Sequence, residues 1–158
     1  MTFADLPLID GPFDSVELLR DPYVLLVQAD SALARRGGPP SRREISKLDL
    51  IGFRQCRGLN RLEAALQDKI NFVFRSDQNG TVQGLVGAGV GAALVPRLTV
   101  DAKDESVAAI ELGGKFPPRL IALAWHRDRY RAPAARAFVE TAREVCAELQ
   151  REAEPALA

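Results

Sequence analysis

Short apolar runs separated by polar stretches set the pattern of this chain. Residues 23–27 (YVLLV) form a continuous apolar run, which is typical of a strand buried on both faces. Three more short runs, at 48–53, 107–112 and 120–125, are bounded by turn residues and predict further strands. Strands that alternate with helices indicate an α/β domain with mostly parallel strand pairing.

Residues 72–96 predict a strand, a polar loop, a helix, a glycine turn and a second strand. Three loop residues are of the kind that cap helices: Ser76, Asp77 and Asn79. Apolar residues spaced i, i+3 and i+4 from Val82 predict the helix, and Gly87 and Gly89 end it. A helix N-terminus with free N–H groups therefore lies beside a polar loop that follows a strand. Such a corner can bind a small anion.

Other segments complete the predicted elements. Residues 35–43 form a loop in which Ser41 begins a capping box with Glu44. Apolar spacing predicts a helix over residues 59–69. The last helix starts near Pro133, and its apolar stripe comprises Phe138, Ala142, Val145 and Leu149. Residues 1–21 show no clear helix or strand, because prolines and an Asp-Gly turn signal interrupt them.

Composition narrows the possible functions. The 158 residues include 21 Lys and Arg and 21 Asp and Glu, so the net charge near zero argues against nucleic-acid binding by this chain. No secretory signal or apolar run of membrane-spanning length is visible. Cys56 and Cys146 lie far apart in sequence, which fits free thiols in a reducing cytoplasm. We therefore expect a cytoplasmic protein that does not associate with membranes.

Six residues are candidates for ligand binding. Ligands gather at the carboxyl ends of strands in α/β sheets, so the loops 52–58 and 76–81 are expected to line a site. Arg54 and Arg57 are suited to clamping a carboxylate, or they are solvated loop charges. Gln78, Asn79 and Thr81 are suited to binding a ligand at the helix start, whereas Asn79 has helix capping as an alternative role. Asp10, a turn residue beside Gly11, is the sixth candidate.

The sequence contains no recognisable motif for catalysis or for cofactor binding. The glycines at 87, 89 and 91 follow a helix and precede a strand, the reverse of a dinucleotide fingerprint. His126 is the sole histidine, so no metal site can be recognised in the sequence, and we expect no cofactor. There is no G-x-S-x-G elbow and no convergent set of acid, base and nucleophile. We expect that the protein is not an enzyme.

The order of these motifs resembles the effector-binding domain of LysR-type transcriptional regulators. The resemblance rests on LLRDPYVLLV (18–27), LDLIGF (48–53), LVGAGVGAALVP (85–96) and WHRDRYRAPAARAF (125–138), and covers nearly the whole chain. It implies a two-lobed, periplasmic-binding-protein-like (type 2) α/β domain with an effector in the cleft between lobes. Asp10 then falls in a loop that lines the cleft. The N-terminal winged helix-turn-helix and the first strand–helix portion of the first lobe are missing from the pattern.

The resemblance also implies a division of the chain. Residues 1–28 are a partial first lobe and first crossing strand, and residues 29–98 the second lobe. Residues 99–150 return to the first lobe and close it, and residues 151–158 form a tail. We expect an N-terminally truncated, small-molecule-sensing domain that self-associates and does not bind DNA specifically by itself. Two alternatives are a solute-binding protein of a transport system, which should carry an export signal, and a redox sensor based on Cys56.

Overall fold

The computed structural model describes residues 1–54, 70–114 and 116–153, and the chain divides into two compact units. Unit 1 comprises Met1–Asp21 and Pro118–Ala158, and unit 2 comprises Pro22–Pro117. The chain therefore passes between the units twice. The helix predicted over residues 59–69 lies outside the described residues.

The described residues form eight strands, four α-helices and one 3-10 turn. The strands are β1 (Thr2–Asp5), β2 (Phe13–Asp21), β3 (Tyr23–Gln28), β4 (Asp49–Gly52), β5 (Asn71–Arg75), β6 (Ala93–Pro96), β7 (Val107–Glu111) and β8 (Arg119–His126). The helices are α1 (Ala32–Arg36), α2 (Arg42–Ile45), α3 (Asn79–Gly87) and α4 (Pro133–Ala153), and the 3-10 turn is Arg97–Thr99. All the apolar runs predicted to be strands are confirmed as strands within a few residues.

Unit 1 is a three-stranded antiparallel sheet with β8 between β1 and β2. Residues 1–21, in which the sequence shows no clear helix or strand, contain both β1 and β2. The apolar alternation along β2 is obscured by charged residues and by a register shift between Glu17 and Leu19. Where the chain leaves unit 1, the buried carboxylate of Asp21 pairs with Arg119 at 2.6 Å and joins β2 to β8.

Helix α4 contacts β2 and confirms the helix predicted from Pro133. Val139 is its buried apolar residue, and the Gln150 side chain accepts a hydrogen bond from the Arg20 N–H at 3.0 Å. The predicted apolar stripe lies on another face: Phe138, Val145 and Leu149 are each close to half exposed. The sequence therefore predicted the helix correctly, but it did not predict which side of the helix packs on the sheet.

Unit 2 is built around β3, which pairs antiparallel with β6 on one side and β7 on the other. Strands β4 and β5 pair in parallel, and a parallel bridge between Leu50 and Ala92 joins them to the residue before β6. The expectation of mostly parallel pairing is wrong for the described strands, since β4–β5 is the one parallel ladder. The chain crosses into unit 2 and returns from it, so outgoing and returning strands run in opposite directions.

The side chains of β3 alternate between two apolar layers, as predicted for a strand buried on both faces. Leu25 and Val27 pack in one layer with Ile45 and Leu50. Val24 and Leu26 pack in the other layer, whose remaining members include Val82 and Val86 of α3 and Val95 of β6. Unit 2 thus covers both faces of its own sheet.

The compact units have different bounds from the predicted lobes. The second lobe was predicted over residues 29–98, whereas unit 2 extends over Pro22–Pro117. The physical reason is that β3 and β7 add their backbones to the sheet that holds β6. Both crossing segments therefore belong to unit 2 by their hydrogen bonds.

The capping box predicted at Ser41 is confirmed. The Ser41 hydroxyl accepts the Glu44 N–H at 3.2 Å, and the Glu44 carboxylate accepts the Ser41 N–H at 2.8 Å. Arg36 pairs with the same carboxylate. The hydrogen bond from Arg36, followed by those from Ser41, lowers the pKa of Glu44 to about 2.

Candidate functional site

The candidate site is the corner of unit 2 where β4, β5 and α3 meet. Parallel strands β4 and β5 end at the same edge of the sheet, which is where ligands gather in α/β folds. The Ser76 N–H donates to the Gly52 carbonyl at 3.0 Å and ties the two strand ends together. Helix α3 begins at Asn79, four residues after β5 ends. This is the strand, polar loop and helix order that the sequence predicts.

Four of the six candidate residues belong to this corner. The Arg54 N–H donates to the Asp77 carboxylate at 3.1 Å, which joins the loop after β4 to the loop before α3. Gln78 is the N-cap residue of α3, and its side-chain oxygen accepts the Thr81 hydroxyl at 3.4 Å. Asn79 is the first residue of α3, and all four side chains are exposed.

The other two candidates are not part of this group. Arg57 lies outside the described residues, as does Cys56, on which the redox alternative rests. Asp10 is an exposed residue of unit 1, in the bend between β1 and β2, where the Phe13 N–H donates to the Gly11 carbonyl. The turn predicted at Asp10 and Gly11 is therefore confirmed, whereas a ligand-binding role for Asp10 stays a prediction.

The predicted helix caps differ in the structure. Ser76, Asp77 and Asn79 were interpreted as capping residues, but Gln78 is the N-cap and its side chain makes no capping hydrogen bond. The Ser76 hydroxyl accepts a hydrogen bond from the Gln78 N–H at 3.2 Å, and the Asp77 carboxylate accepts one from the Arg54 N–H. The first N–H groups of a helix have no acceptor within it. The side chain of the N-cap residue Gln78 leaves these donors uncapped, so we consider them candidate donors to a ligand.

Arg75 is a residue of this corner that the sequence analysis missed. Its guanidinium stacks over the Phe72 ring at 3.8 Å from the centroid and donates to the Phe53 carbonyl at 3.1 Å. A Cβ at Gly52 would lie 2.7 Å from the Phe72 ring, so glycine leaves space for this stack. The sequence feature that could have indicated Arg75 is a cationic residue at the end of a predicted strand, directly before the polar loop.

Gln83 anchors α3 from behind the corner. Its buried amide donates to the Asp101 carbonyl at 3.2 Å and to the Asp104 carboxylate at 2.9 Å, and accepts the Asp101 N–H at 3.0 Å. Hydrogen bonds from Ser106 and then Gln83 lower the pKa of Asp104. The sequence signal was a polar residue beside Val82 on the buried side of α3. This amide fixes the helix whose N-terminus faces the corner.

Other chemistry has little support in the described part of the chain. No group of three His, Cys, Asp or Glu side chains within residues 1–54, 70–114 and 116–153 could hold a metal ion. His126 ends β8 and packs edge-to-face on Phe13, with its Nδ1 accepting the Asp128 N–H at 3.3 Å. Cys146 is a free, half-buried thiol on α4. None of the helices that the structure describes has the length and apolar character needed to span a membrane.

The chain is similar to known proteins over most of its length. Residues 1–147 match the family model described as the LysR substrate binding domain. The probable HTH-type transcriptional regulator LrrA of Synechococcus elongatus is 26% identical over 154 residues, which are 93% of this chain and 51% of that protein. The chain therefore spans about half the length of this curated relative.

Solved structures show the same fold. HinK, a LysR family transcriptional regulator from Pseudomonas aeruginosa, is similar with a TM-score of 0.79 at 21% identity, over 93% of this chain and 52% of that one. The effector binding domain of QuiR, in complex with shikimate, is similar with a TM-score of 0.77 at 17% identity, over 92% of this chain and 72% of that one. The α/β fold predicted above, that of a type 2 periplasmic-binding-protein-like domain, is thereby confirmed.

Proposed function

Because this chain belongs to the LysR substrate-binding domain family, we propose that it is the effector-sensing domain of a LysR-type transcriptional regulator. The effector is a small anionic metabolite that binds at the corner formed by β4, β5 and α3. The observation that carries this proposal is the N-terminus of α3, which lies beside two strand ends and whose N-cap residue, Gln78, makes no side-chain capping hydrogen bond.

The electrostatics of the corner favour an anion. The aligned peptide dipoles of α3 place partial positive charge at its N-terminus, and the N–H groups of Asn79, Gly80 and Thr81 are the natural donors. Arg54 adds a full positive charge at the neighbouring loop, and Arg57 follows three residues later in the chain. A carboxylate is matched to both features, and shikimate, the ligand of QuiR, carries one.

The proposed mechanism is a hinged clamp. The chain passes twice between two compact units, so closure of one unit towards the other requires changes at only two crossings. An effector favours the closed form only if it binds that form more tightly than the open form. Asp10, in unit 1, and Arg57 are proposed as further effector contacts. In a full-length regulator this shift would alter how the DNA-binding part sits on its promoter.

The remaining functional expectations follow from the family and the charge balance. We propose that this chain acts in the cytoplasm, self-associates and does not catalyse a reaction. With equal numbers of acidic and basic residues, it is not expected to bind DNA specifically by itself. DNA binding is expected of a full-length relative.

The proposal is tested by calorimetric titration of the 158-residue chain with shikimate and other small aromatic and aliphatic carboxylates. We expect saturable binding of at least one carboxylate. Arg54→Ala combined with Arg57→Ala should weaken that binding at least about tenfold, since hydrogen bonds to charged groups contribute about 1.5–3 kcal/mol.

The matched control is Arg43→Ala, which removes an exposed arginine of unit 2 from α2, outside the corner. It should leave the affinity unchanged. Failure of every carboxylate to bind, or equal affinity in the double variant and the unaltered chain, would contradict the proposal.

A further inference from the structure

Side chains continue the pairing of β4 with β5 beyond the last residues that the two backbones bring together. The parallel ladder ends with Gly52 opposite Arg75, and the Ser76 N–H donates to the Gly52 carbonyl at 3.0 Å. The next peptide along the chain joins Phe53 to Arg54. Its polar groups bond to side chains at the end of β5 and in the loop that follows β5.

The peptide between Phe53 and Arg54 is held at both of its polar groups. Its carbonyl oxygen accepts a hydrogen bond from the Arg75 guanidinium at 3.1 Å, and its N–H donates to the Asp77 carboxylate at 3.1 Å. Hydrogen bonds to charged groups are stronger than those between neutral groups. Because a peptide is planar, fixing its two opposite groups fixes the plane from which residue 54 departs.

Arg75 is itself held in place by the two strands. Its guanidinium lies over the Phe72 ring, 3.8 Å from the centroid. The stack fits because Gly52 has no Cβ, which would lie 2.7 Å from that ring. Arg75 is half-buried in these contacts, whereas Arg54 is exposed. The two arginines therefore differ: Arg75 bonds to the protein itself, and Arg54 extends from the peptide that Arg75 holds.

We propose that Arg75 and Asp77 are positioning residues that orient Arg54 towards the anionic effector. We define these two side chains, with the peptide that they hold, as the 53–54 anchor. Neither side chain contacts the effector, and each acts through Arg54. The inference rests on the proposed function and deepens it, because it states how the corner directs the arginine that binds the carboxylate.

The charges of the anchor suit a positioning role. Arg75 and Asp77 carry opposite charges, so Arg54 supplies the net positive charge of the three side chains. A guanidinium and a carboxylate form two parallel hydrogen bonds, which require a defined mutual orientation. A fixed main chain at residue 54 leaves fewer bonds to immobilise when the effector binds. Asp77 also directly precedes Gln78, the N-cap of α3, so the anchor ties Arg54 to the helix N-terminus.

Amide hydrogen exchange of the ligand-free 158-residue chain, followed by NMR, tests the anchor itself. Asp77→Ala removes the acceptor and should remove the protection of the Arg54 N–H from exchange. Asp77→Asn keeps an acceptor oxygen and should retain that protection. Asn71→Ala is the matched control, because the Asn71 amide donates to the Asp49 carboxylate at 2.6 Å and joins β5 to β4 at the opposite end of their ladder. It should leave exchange at Arg54 unaltered.

A double-mutant cycle in carboxylate affinity tests how the anchor acts. Arg75→Met removes the donor to the Phe53 carbonyl but keeps a side chain that covers the Phe72 ring. It should weaken binding of the carboxylate that calorimetry selects about three- to tenfold. In an Arg54→Ala chain the same substitution should change the affinity less than about twofold, because no side chain is left to position. Equal losses in both backgrounds would show that Arg75 acts directly on the ligand and would overturn the inference.

The conservative variant separates positioning from charge. If Asp77 only holds the Arg54 N–H, Asp77→Asn should retain the carboxylate affinity and Asp77→Ala should weaken it. Asn71→Ala should bind the carboxylate as the unaltered chain does, and thermal melts check that every variant is folded. A gain of affinity in both Asp77 variants would show that its charge repels the ligand, which contradicts a positioning role.

The failure of this inference and the failure of the proposed function give different results. If no carboxylate binds the unaltered chain, the proposed function fails, and exchange at Arg54 alone decides whether the anchor exists. If a carboxylate binds but Asp77→Ala leaves exchange at Arg54 unaltered, the anchor is excluded and the proposed function stands.

Discussion

Unit 1 and unit 2 use the same kinds of elements but differ in how completely they bury them. Unit 2 places β3 at the centre of its sheet and packs apolar side chains on both faces, with Leu25 on one side and Leu26 on the other. Unit 1 has one described helix beside a three-stranded sheet, and a row of apolar side chains on that helix faces solvent. An apolar period along a chain identifies a helix face, but only the available partners decide whether that face is buried.

This difference has a functional consequence. The corner of unit 2 is supported by hydrogen bonds within its own unit, including the Gln83 amide that fixes α3 and the Arg75 guanidinium that joins β4 to β5. If the effector binds at this corner as proposed, N–H donors that are held in place before binding reduce the entropy lost on binding.

The largest expected effect compares the same substitution in the two units. Leu25→Ala removes a fully buried leucine from β3 and should lower the free energy of unfolding by about 2–5 kcal/mol. Leu149→Ala removes a leucine that is 45% exposed, and at concentrations where the chain is monomeric it should cost less than about 1 kcal/mol. Urea denaturation measures both. Equal losses would show that the two units do not differ as described.

A second pair of substitutions tests whether β4 and β6 form one sheet. A Cβ at Gly91 would lie 2.6 Å from the Asp49 carbonyl oxygen, where the backbone of β4 bonds to Ala92. Gly91→Ala should therefore destabilise the chain by about 1–3 kcal/mol, because backbone must move. Gly84→Ala, within α3, meets no heavy atom within 4 Å and should stabilise the chain by about 0.4–1 kcal/mol.

The two substitutions should change the stability of the chain in opposite directions, and thermal denaturation measures both changes. If Gly91→Ala melted at or above the temperature of the unaltered chain, the close approach between residue 91 and β4 would not exist in solution. A loss of stability in Gly84→Ala would argue against α3 as a regular, solvent-facing helix at that position.

The smallest expected effect concerns the capping box in unit 2. The pKa of Glu44 is lowered to about 2, mainly by the hydrogen bond from Arg36, from an ordinary value of 4.5. A carboxyl whose pKa is lower in the folded state contributes its stabilisation above the ordinary pKa. That contribution should be lost progressively as the pH falls from about 4.5 towards 2.

Thermal melts across this pH range check the sign. Glu44→Gln should reduce the loss of stability between pH 4.5 and 2, and should lower stability slightly at neutral pH. Glu105→Gln, at an exposed glutamate in the same unit, is the control and should leave the profile unaltered. A profile for Glu44→Gln identical to that of the unaltered chain would exclude a role for the capping box in acid stability.

Local patterns of the sequence predict much of unit 2. The apolar run at 23–27 identifies the buried strand, and Ser41 with Glu44 identifies the capping box, because both signals depend on residues close together in the chain. Strand direction was not predicted correctly, since it depends on which distant segments meet. The roles of the side chains at the corner could not be predicted for the same reason. Ser76 and Asp77 are typical capping residues, yet each accepts a hydrogen bond from a backbone N–H outside α3.

Unit 1 was harder to predict for a different reason. β1 is only four residues long, and β2 contains charged residues and a register shift, so neither shows a clear two-residue alternation. Their pairing becomes evident only when β8, a hundred residues later, lies between them. The stripe from Phe138 to Leu149 showed that α4 is a helix without showing which face meets β2.

The most direct test of the central claim is an NMR titration of the isotopically labelled chain with the carboxylate that calorimetry selects, starting with shikimate. The account predicts that the backbone N–H signals of Asn79, Gly80 and Thr81 shift most within unit 2, together with Arg54. Saturable shifts confined to other parts of the chain, with these amide signals unmoved, would contradict an anion site at the N-terminus of α3.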